Sequence, residues 1–445
     1  MLVITPPFQV PDEPHHFMRA YQVSEGVLAP TFRDFKGGGE IPQSIARFDL
    51  SYKVYRHGKN LESRDQIFKT LQIPLEPGRV QWCEFSNTAA YSPLPYVPQA
   101  IAIAIGRPLG MTVLELMYFG RLANLLVWTA SGYAALRIAP GFRRPVFLLM
   151  LMPMSIYLAA SLSADVVGNA LVVLFCAMVW RYSAEPDAVG RIKPPEILVL
   201  ILLACGIGLA KFVYVPVAAL VVLIPRRAWG GTQRKRAIIA AVVGLAIMAA
   251  VCWSLETPGL DMIANGVSGN FSPRLQLEFL RENPAAWPII AVRTLREYSR
   301  PILISFVGEF GWLDRPVAGI VAFGYYAALL WACLSCTKDL KIRSMVSWIT
   351  TLCILAAGSA FLIVLTAYLY WNPLAEPEVS GLQGRYFIAL APPLMMLMCA
   401  IFQRFSWAKR LVYSDAKMDF ASLLIAVTAL SYSLCIIYIR FHSAS

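Results

Sequence analysis

The sequence predicts an all-α polytopic membrane protein, a bundle of about 10–11 transmembrane helices with two long external loops carrying interfacial helices. Three observations predict it. Of 445 residues, 58% are hydrophobic and only 15% charged, with a mean hydropathy of +0.58, whereas soluble domains average about 45–50% apolar and about 25% charged residues. The apolar residues gather in runs long enough to cross a bilayer, which takes ~20 residues. The basic residues gather in short clusters between those runs. A soluble multidomain chain, a disordered or fibrous chain and a small disulfide scaffold are all excluded.

The runs 112–136, 236–255, 316–336, 345–371, 385–402 and 420–440 each suffice for one crossing. Two longer runs are interrupted, 145–181 by Ser161-Leu162-Ser163-Ala164-Asp165 and 195–225 by Lys211. Each of these reads as a hairpin of two short helices joined by a polar turn. The chain then divides into 1–5, 6–111, 112–255, 256–315 and 316–445. Residues 1–5 are expected to be the last turn of a first spanning helix that is otherwise missing. Segments 6–111 and 256–315 are the external loops, rich in aromatics and mixed charge and so folded on the membrane surface. Within the first, 97–106 is apolar but too short to cross and reads as an interfacial helix.

The net charge of +12 reflects topology rather than nucleic-acid binding. Eighteen Lys and Arg lie in short loops on one side: Arg137, Arg143, Arg144; Arg181, Arg191, Lys193; Arg226, Arg227, Arg234, Lys235, Arg236; Lys338, Lys341, Arg343; Arg404, Lys409, Arg410, Lys417. The short loops opposite hold only Lys211 and Arg385. Cytoplasmic loops carry the positive excess, so 6–111 and 256–315 are expected outside. Eight of the nine cysteines lie in apolar runs, leaving Cys83 alone in a polar segment, so no disulfide framework is implied. Cys333 and Cys336 have CxxC spacing but read as helix packing.

Pro11-Asp12-Glu13-Pro14-His15-His16 places four ionisable side chains within five residues, where a helix leaves the bilayer. A helix start explains part of it: Asp12 suits an N-cap, Pro14 a first turn and Gly26 a C-terminal cap. A cap needs one carboxylate and no histidine, so the stretch is also a candidate for chemistry. Asp165 and Lys211 sit at the mouths of the two hairpins, and ionisable residues at membrane depth face a cavity or a partner. Short flanking helices put both turns below the surface, in a recess opening outward under the Asp12 loop. The plain alternative is a structural ion pair. Further polar groups face the same side: Tyr91 and Tyr96, Trp312 and Asp314, Gln383, Arg385 and Tyr386, with Arg121 and Asn124 inside the 112–136 span. Arg385 offers a fork suited to phosphate oxygens, or it simply snorkels.

The ordered set PPFxVPDExxHF, YSPLPYxPQ, GRLAN, SADxxxN, the Lys-aromatic turn, GWLD and QGRYF resembles the bacterial DUF2142 family, which is placed in the GT-C glycosyltransferase superfamily. The resemblance implies a GT-C-like bundle in the bacterial plasma (inner) membrane, with its active site facing the external or periplasmic side. It implies transfer of a sugar from a polyprenyl-phosphate donor to an extracytoplasmic glycan or lipid-linked acceptor, with inversion. Asp12 matches the catalytic acidic position, with Glu13 beside it. Arg385, Lys211, His15 and His16 would serve the donor phosphate. Asp165, Tyr91, Tyr96, Arg121, Asn124, Trp312, Asp314, Gln383 and Tyr386 would line the substrate site. No cofactor is expected; Asp12, Glu13, His15 and Asp165 are metal-ligand types, but no spacing demands a divalent ion. The rival readings are a transporter or flippase, or a polymerase, of lipid-linked saccharides. Polar groups gathered at one face argue against a path through both leaflets.

Overall fold

The computed structural model describes residues 1–34, 36–53, 64–184, 190–257, 272–336, 345–405 and 415–442. Residues 1–5 form a single turn closed by the Thr5 N–H to the Met1 carbonyl at 2.9 Å, and Pro6-Pro7 ends it. Helix α1 (Glu13–Ser24) follows, with proline in its first turn. Strands β1 (Thr31–Arg33), β2 (Lys36–Pro42) and β3 (Val80–Glu84) make an antiparallel sheet in the order β1-β2-β3, with Gly38 opposite Glu84 and Glu40 opposite Trp82. Around it lie α2 (Gln43–Tyr52), α3 (Arg64–Leu71), α4 (Ser86–Ala89) and α5 (Val97–Gly106). Phe8, Phe17, Ile41, Phe48 and Phe85 form a core of this unit, sealed onto Val113, Leu116 and Met117 at the head of the first long helix.

The sequence reading expected interfacial helices in 6–111, not a sheet. The Gly37-Gly38-Gly39 run of β2 gives no strand signal, because glycine is depleted in strands. Packing demands it nonetheless. A Cβ at Gly38 would overlap the Cys83 carbonyl of β3, and one at Gly39 the Gln22 amide of α1.

The bundle begins with α6 (Val113–Ile138), started by a reciprocal cap between Thr112 and Glu115. Then come α7 (Arg143–Met150) and α8 (Pro153–Ala159), bent by 73° to one another. The first arm of the expected 145–181 hairpin is therefore two helices. Pro153 lacks an N–H and pushes Met152 into extended backbone, which breaks the run. After α9 (Asp165–Ala184) and α10 (Pro194–Ala210), Lys211 is extended, and Phe212–Leu223 winds as a 3₁₀ helix with Pro216 inside it. Next are α11 (Thr232–Glu256), α12 (Pro273–Glu282), α13 (Ala286–Val307), the hairpin β4 (Glu309–Phe310) and β5 (Arg315–Pro316), α14 (Gly319–Ser335) and α15 (Met345–Trp371). A 3₁₀ turn at Gly384–Leu390 runs into α16 (Ala391–Gln403), and α17 (Asp415–His442) closes the described chain.

Among the described residues, five stretches suffice by length and composition to cross a membrane: α9, α11, α15, Gly384–Gln403 and α17, or six if α7 and α8 count as one. The remaining expected crossings are 10–17-residue apolar helices, or α6 with its internal Arg121 and Asn124. A 17-residue helix such as α10 rises about 26 Å against a hydrocarbon core of about 30 Å, so interruption at Lys211 leaves each arm short. Burial separates centre from rim: 83% of the most apolar stretch of α9 is buried, but only 17% of that of α11. Apolar side chains exposed on α11 and α17, among them Ile247, Val251, Phe420 and Leu424, form the surface that lipid tails would cover. All nine cysteines are free, and Cys399 packs against Cys333 and Cys336 between α16 and α14.

Charge also sorts by helix end. Arg137 and Arg181 end α6 and α9, and Lys193 precedes α10; Arg121, Asp165 and Lys211 lie toward the other ends of the same helices. Lys338, Lys341, Arg343, Lys409 and Arg410 lie outside the described residues. The Gly384 N–H donates to Ser305 Oγ at 2.9 Å, and a Cβ there would overlap the backbone of Ile302 and Phe306 in α13. Gly384→Ala is expected to cost about 1–3 kcal/mol, read as a lower thermal midpoint of the detergent-solubilised protein. Gly358→Ala, with open space around its Cβ, should leave the midpoint unchanged.

Candidate functional site

The site is built on a buried pair. Glu13, in the first turn of α1, and Arg121, two turns into α6, are both fully buried and joined by bonds of 2.8 Å from Nε and 2.6 Å from Nη2. Glu13 also accepts the N–H groups of Phe8 and Leu162. Arg121 also donates to the carbonyls of Leu2, Thr5 and Pro6. This network fastens residues 2–13 and the 162 turn to α6. Glu13 has no capacity left for a reacting proton, so it is a positioning residue, not a second catalytic carboxylate.

Asp12, its neighbour, points elsewhere. Its backbone is left-handed, with φ 65°, and its side chain makes no capping bond. Such a conformation costs of order 1–3 kcal/mol and is best tolerated by Asp and Asn among non-glycine residues. The capping reading is therefore wrong for this side chain. Asp12 Oδ1 accepts from Asn87 Nδ2 at 2.9 Å and Oδ2 from Arg385 Nη2 at 3.1 Å, with 38% of the side chain exposed. Burial pushes the Asp12 carboxyl up, but Arg385 and the two histidines outweigh it and hold it below the usual carboxylate range. It is ionised at neutral pH and open on one side.

A second pair stands beside the first. Lys211, freed from α10 by its extended backbone, donates to Asp165 Oδ1 at 2.5 Å. The Lys211 ammonium lies 5.6 Å from the Tyr91 ring, 5.9 Å from Tyr214 and 5.2 Å from Tyr386, within cation–π range. The Arg385 guanidinium lies 5.4 Å from the same Tyr386 ring. Two carboxylates and two cations thus alternate around one tyrosine. The expected open recess is instead filled by these ion pairs, because each deep charge needs a partner more than it needs water. The side chain of Arg385 is 3% exposed and that of Lys211 17%. Among the described residues, the buried polar atoms without a partner include Arg385 Nε, Gln383 Oε1 and Asn169 Oδ1. A cavity of about 250 Å³ lined by Ile138, Met178, Arg181, Tyr182, Glu196 and Val199 includes none of these groups.

The histidines differ. His15 meets Asn87 Oδ1 at 2.5 Å, so Asn87 bridges it to Asp12. His16 is buried, pairs with the Tyr96 hydroxyl at 2.9 Å and is pushed down to about 4, chiefly by burial, which the nearby Asp12 and Asp165 only partly offset. It is neutral at pH 7 and so carries no charge of the kind expected to attract a phosphate. Four expected substrate residues are occupied by the protein itself. Arg121 binds Glu13, and Asn124 donates to the carbonyls of Ser161 and Ser163. Trp312 Nε1 donates to the Phe8 carbonyl at 2.9 Å, and Asp314 accepts from Arg440 at 2.7 Å. They shape the site rather than line it. Among the described residues, no group of three His, Cys, Asp or Glu is arranged to hold a metal ion.

Sequence reasoning passed over Asn87 and gave no role to Asn169 or Glu309, although Asn169 closes the SADxxxN motif. Asn87 carried no signal beyond its polarity. Asn169 stands one turn after Asp165 on the same helix face and was legible by spacing. Glu309, in β4, is half-buried, and burial together with Asp314 lifts its carboxyl to about 7, Arg385 opposing.

The architecture defines a polytopic membrane protein with a compact, charge-balanced cluster at one end of its bundle. A protein-family model described as "Predicted membrane protein (DUF2142)" matches residues 1–395, and the chain belongs to that family. No curated protein and no solved structure matches.

Glu13→Gln removes one partner of a buried pair and is expected to cost about 3–5 kcal/mol, seen as lost folded yield by size exclusion in detergent. Asp12→Asn, which tolerates the left-handed backbone and keeps an oxygen for Arg385, should elute as the wild type does and lose less stability than Glu13→Gln, because its side chain is 38% exposed.

Proposed function

We propose that this protein is an integral membrane glycosyltransferase that moves a sugar from a polyprenyl-phosphate donor to an extracytoplasmic glycan or lipid-linked acceptor, inverting the anomeric centre. The observation that carries this reading is the Asp12–Arg385 contact. A carboxylate kept out of its capping role by left-handed backbone faces a buried guanidinium with an unused N–H. Such a pair suits a reaction that needs a base and an anion holder side by side.

A sugar hydroxyl is a weak nucleophile, and a positioned base is worth about 10²–10⁴-fold. In the resting site Arg385 quenches Asp12. A donor phosphate competes for the guanidinium, and its fork is made for two phosphate oxygens. Once the phosphate holds Arg385, Asp12 loses its strongest local cation, and its proton affinity rises toward that of an ordinary carboxyl. Donor binding thereby arms the base. The sugar enters between the two groups, so the acceptor attacks from the face opposite the phosphate. Lys211, balanced by Asp165, adds a second cation against the charge that develops on the leaving group. Tyr91, Tyr214 and Tyr386 keep that cation away from water. Unpartnered Gln383 Oε1 and Asn169 Oδ1 are acceptors for sugar hydroxyls. The asymmetry of basic residues supports a bacterial plasma membrane location with this end of the bundle outside.

With membranes or purified protein and radiolabelled polyprenyl-phosphate sugars, Asp12→Asn is expected to lower transfer at least ~10²-fold; near-wild-type activity overturns the assignment. Arg385→Ala is expected to raise the KM for donor while leaving that for acceptor unchanged, and an effect confined to acceptor contradicts the phosphate role. Relocation of labelled lipid across vesicles without a new glycosidic bond would favour a flippase. A ladder of products, rather than one added residue, would favour a polymerase.

A further inference from the structure

We propose that Glu309 is the proton donor to the departing phosphate, a second acid–base carboxyl working across Arg385 from Asp12. This rests on the reading of the site as a sugar-transfer centre. The β4–β5 hairpin that carries Glu309 is tied to the Asp12 segment on two sides. Trp312 Nε1 donates to the Phe8 carbonyl at 2.9 Å, and the Gly311 N–H donates to the Tyr157 hydroxyl, which itself donates to the Gln9 carbonyl at 3.0 Å. The hairpin is therefore held against the same loop that presents Asp12, and Glu309 on it lies near enough to Arg385 to feel its charge.

Its surroundings favour a proton. Among the described residues its carboxyl has no hydrogen-bond partner, although it is half-buried. Asp314, on the same hairpin, repels the charged form. Arg440 of α17, the cation that might have compensated, is bound to Asp314 at 2.7 Å. Arg385 attracts the charged form, but its Nη2 is engaged by Asp12. Tyr157 of α8 meets the hairpin at the Gly311 backbone, and Arg315 of β5 is exposed. The result is a carboxyl pushed up to about 7 by burial and by Asp314, close to the second ionisation of a phosphate monoester at about 6. That match is what efficient proton transfer to a leaving phosphate requires.

The step balances. The bond between C1 and the phosphate oxygen breaks, and its electron pair goes to that oxygen, which takes the Glu309 proton. The acceptor oxygen forms the new bond to C1 and gives its proton to Asp12. The product phosphate leaves as the singly protonated monoester, and Asp12 returns a proton to Glu309 through water.

The test is the pH profile of kcat/KM for donor. Wild type is expected to lose activity about tenfold per pH unit above ~7, as Glu309 loses its proton. Glu309→Gln should lower kcat about 10²-fold and abolish that alkaline limb, while Glu309→Asp keeps a limb. An active Glu309→Gln with the wild-type limb overturns the proposal alone, because a merely structural glutamate would not carry the limb. Wild-type protein without transfer from any polyprenyl-phosphate sugar overturns it together with the transfer reading. Should Glu309→Gln fail to fold, dicyclohexylcarbodiimide, which modifies protonated carboxyls in apolar surroundings, reads the same property in the wild type. Mass spectrometry should find the adduct on Glu309 at pH 6, lost by pH 8.5 and absent from Asp12; no adduct at pH 6 overturns the proposal.

Discussion

The buried Glu13–Arg121 pair is the constraint on which the site depends. Neither side chain reaches water, and both are saturated with bonds to the protein. Separating them would strand a charge in a low-dielectric interior, so the segment before α1 has one position relative to α6. Asp12 inherits that position. A single left-handed residue divides the labour: one carboxylate turns inward to hold the loop, and its neighbour turns toward Arg385. The local strain at Asp12 persists because the network on either side over-determines it.

The cluster beyond it is a set of exchangeable pairings rather than a row of free charges. The cations of the Asp12–Arg385 and Asp165–Lys211 pairs share the Tyr386 ring, so each deep cation is neutralised by a carboxylate of the protein itself. An anion entering such a cluster would have to replace a carboxylate as the partner of a cation already paired. On the proposed transfer reading, that exchange would couple donor binding to the proton affinity of Asp12 through electrostatics alone, without a moving domain. Arg385 Nε, Gln383 Oε1 and Asn169 Oδ1 are buried polar atoms without a hydrogen-bond partner among the described residues.

The segment before α6 behaves as a small folded cap. Its sheet and its Phe8–Phe17–Phe48 core rest on the head of α6, and Arg19 clips the end of α1 to the carbonyls of Leu28 and Tyr91. The β4–β5 hairpin closes over the other side, held by Trp312 and by the Asp314–Arg440 pair at the end of α17. His442 of α17 also reaches the Ile4 carbonyl at 2.7 Å. Helix α17 thereby touches both the hairpin and the turn at residues 1–5.

Hydropathy is a local property, so the membrane class, the interruptions at Asp165 and Lys211 and the one-sided basic loops were all legible residue by residue. The candidates Asp12, Lys211 and Arg385 were legible too, because an ionisable group beside an apolar run has few inexpensive explanations. What each does depends on contacts that no local pattern encodes. Asp12 and Arg385 are 373 residues apart, and Glu13 and Arg121 are 108 apart. Only the tertiary structure could separate Asp12 from Glu13, turn Arg121, Asn124, Trp312 and Asp314 from ligand candidates into supports, and make a strand of three glycines. Composition determined where charge was costly; the folded chain alone decided which partner offsets that cost, because partnership is a matter of distance in space.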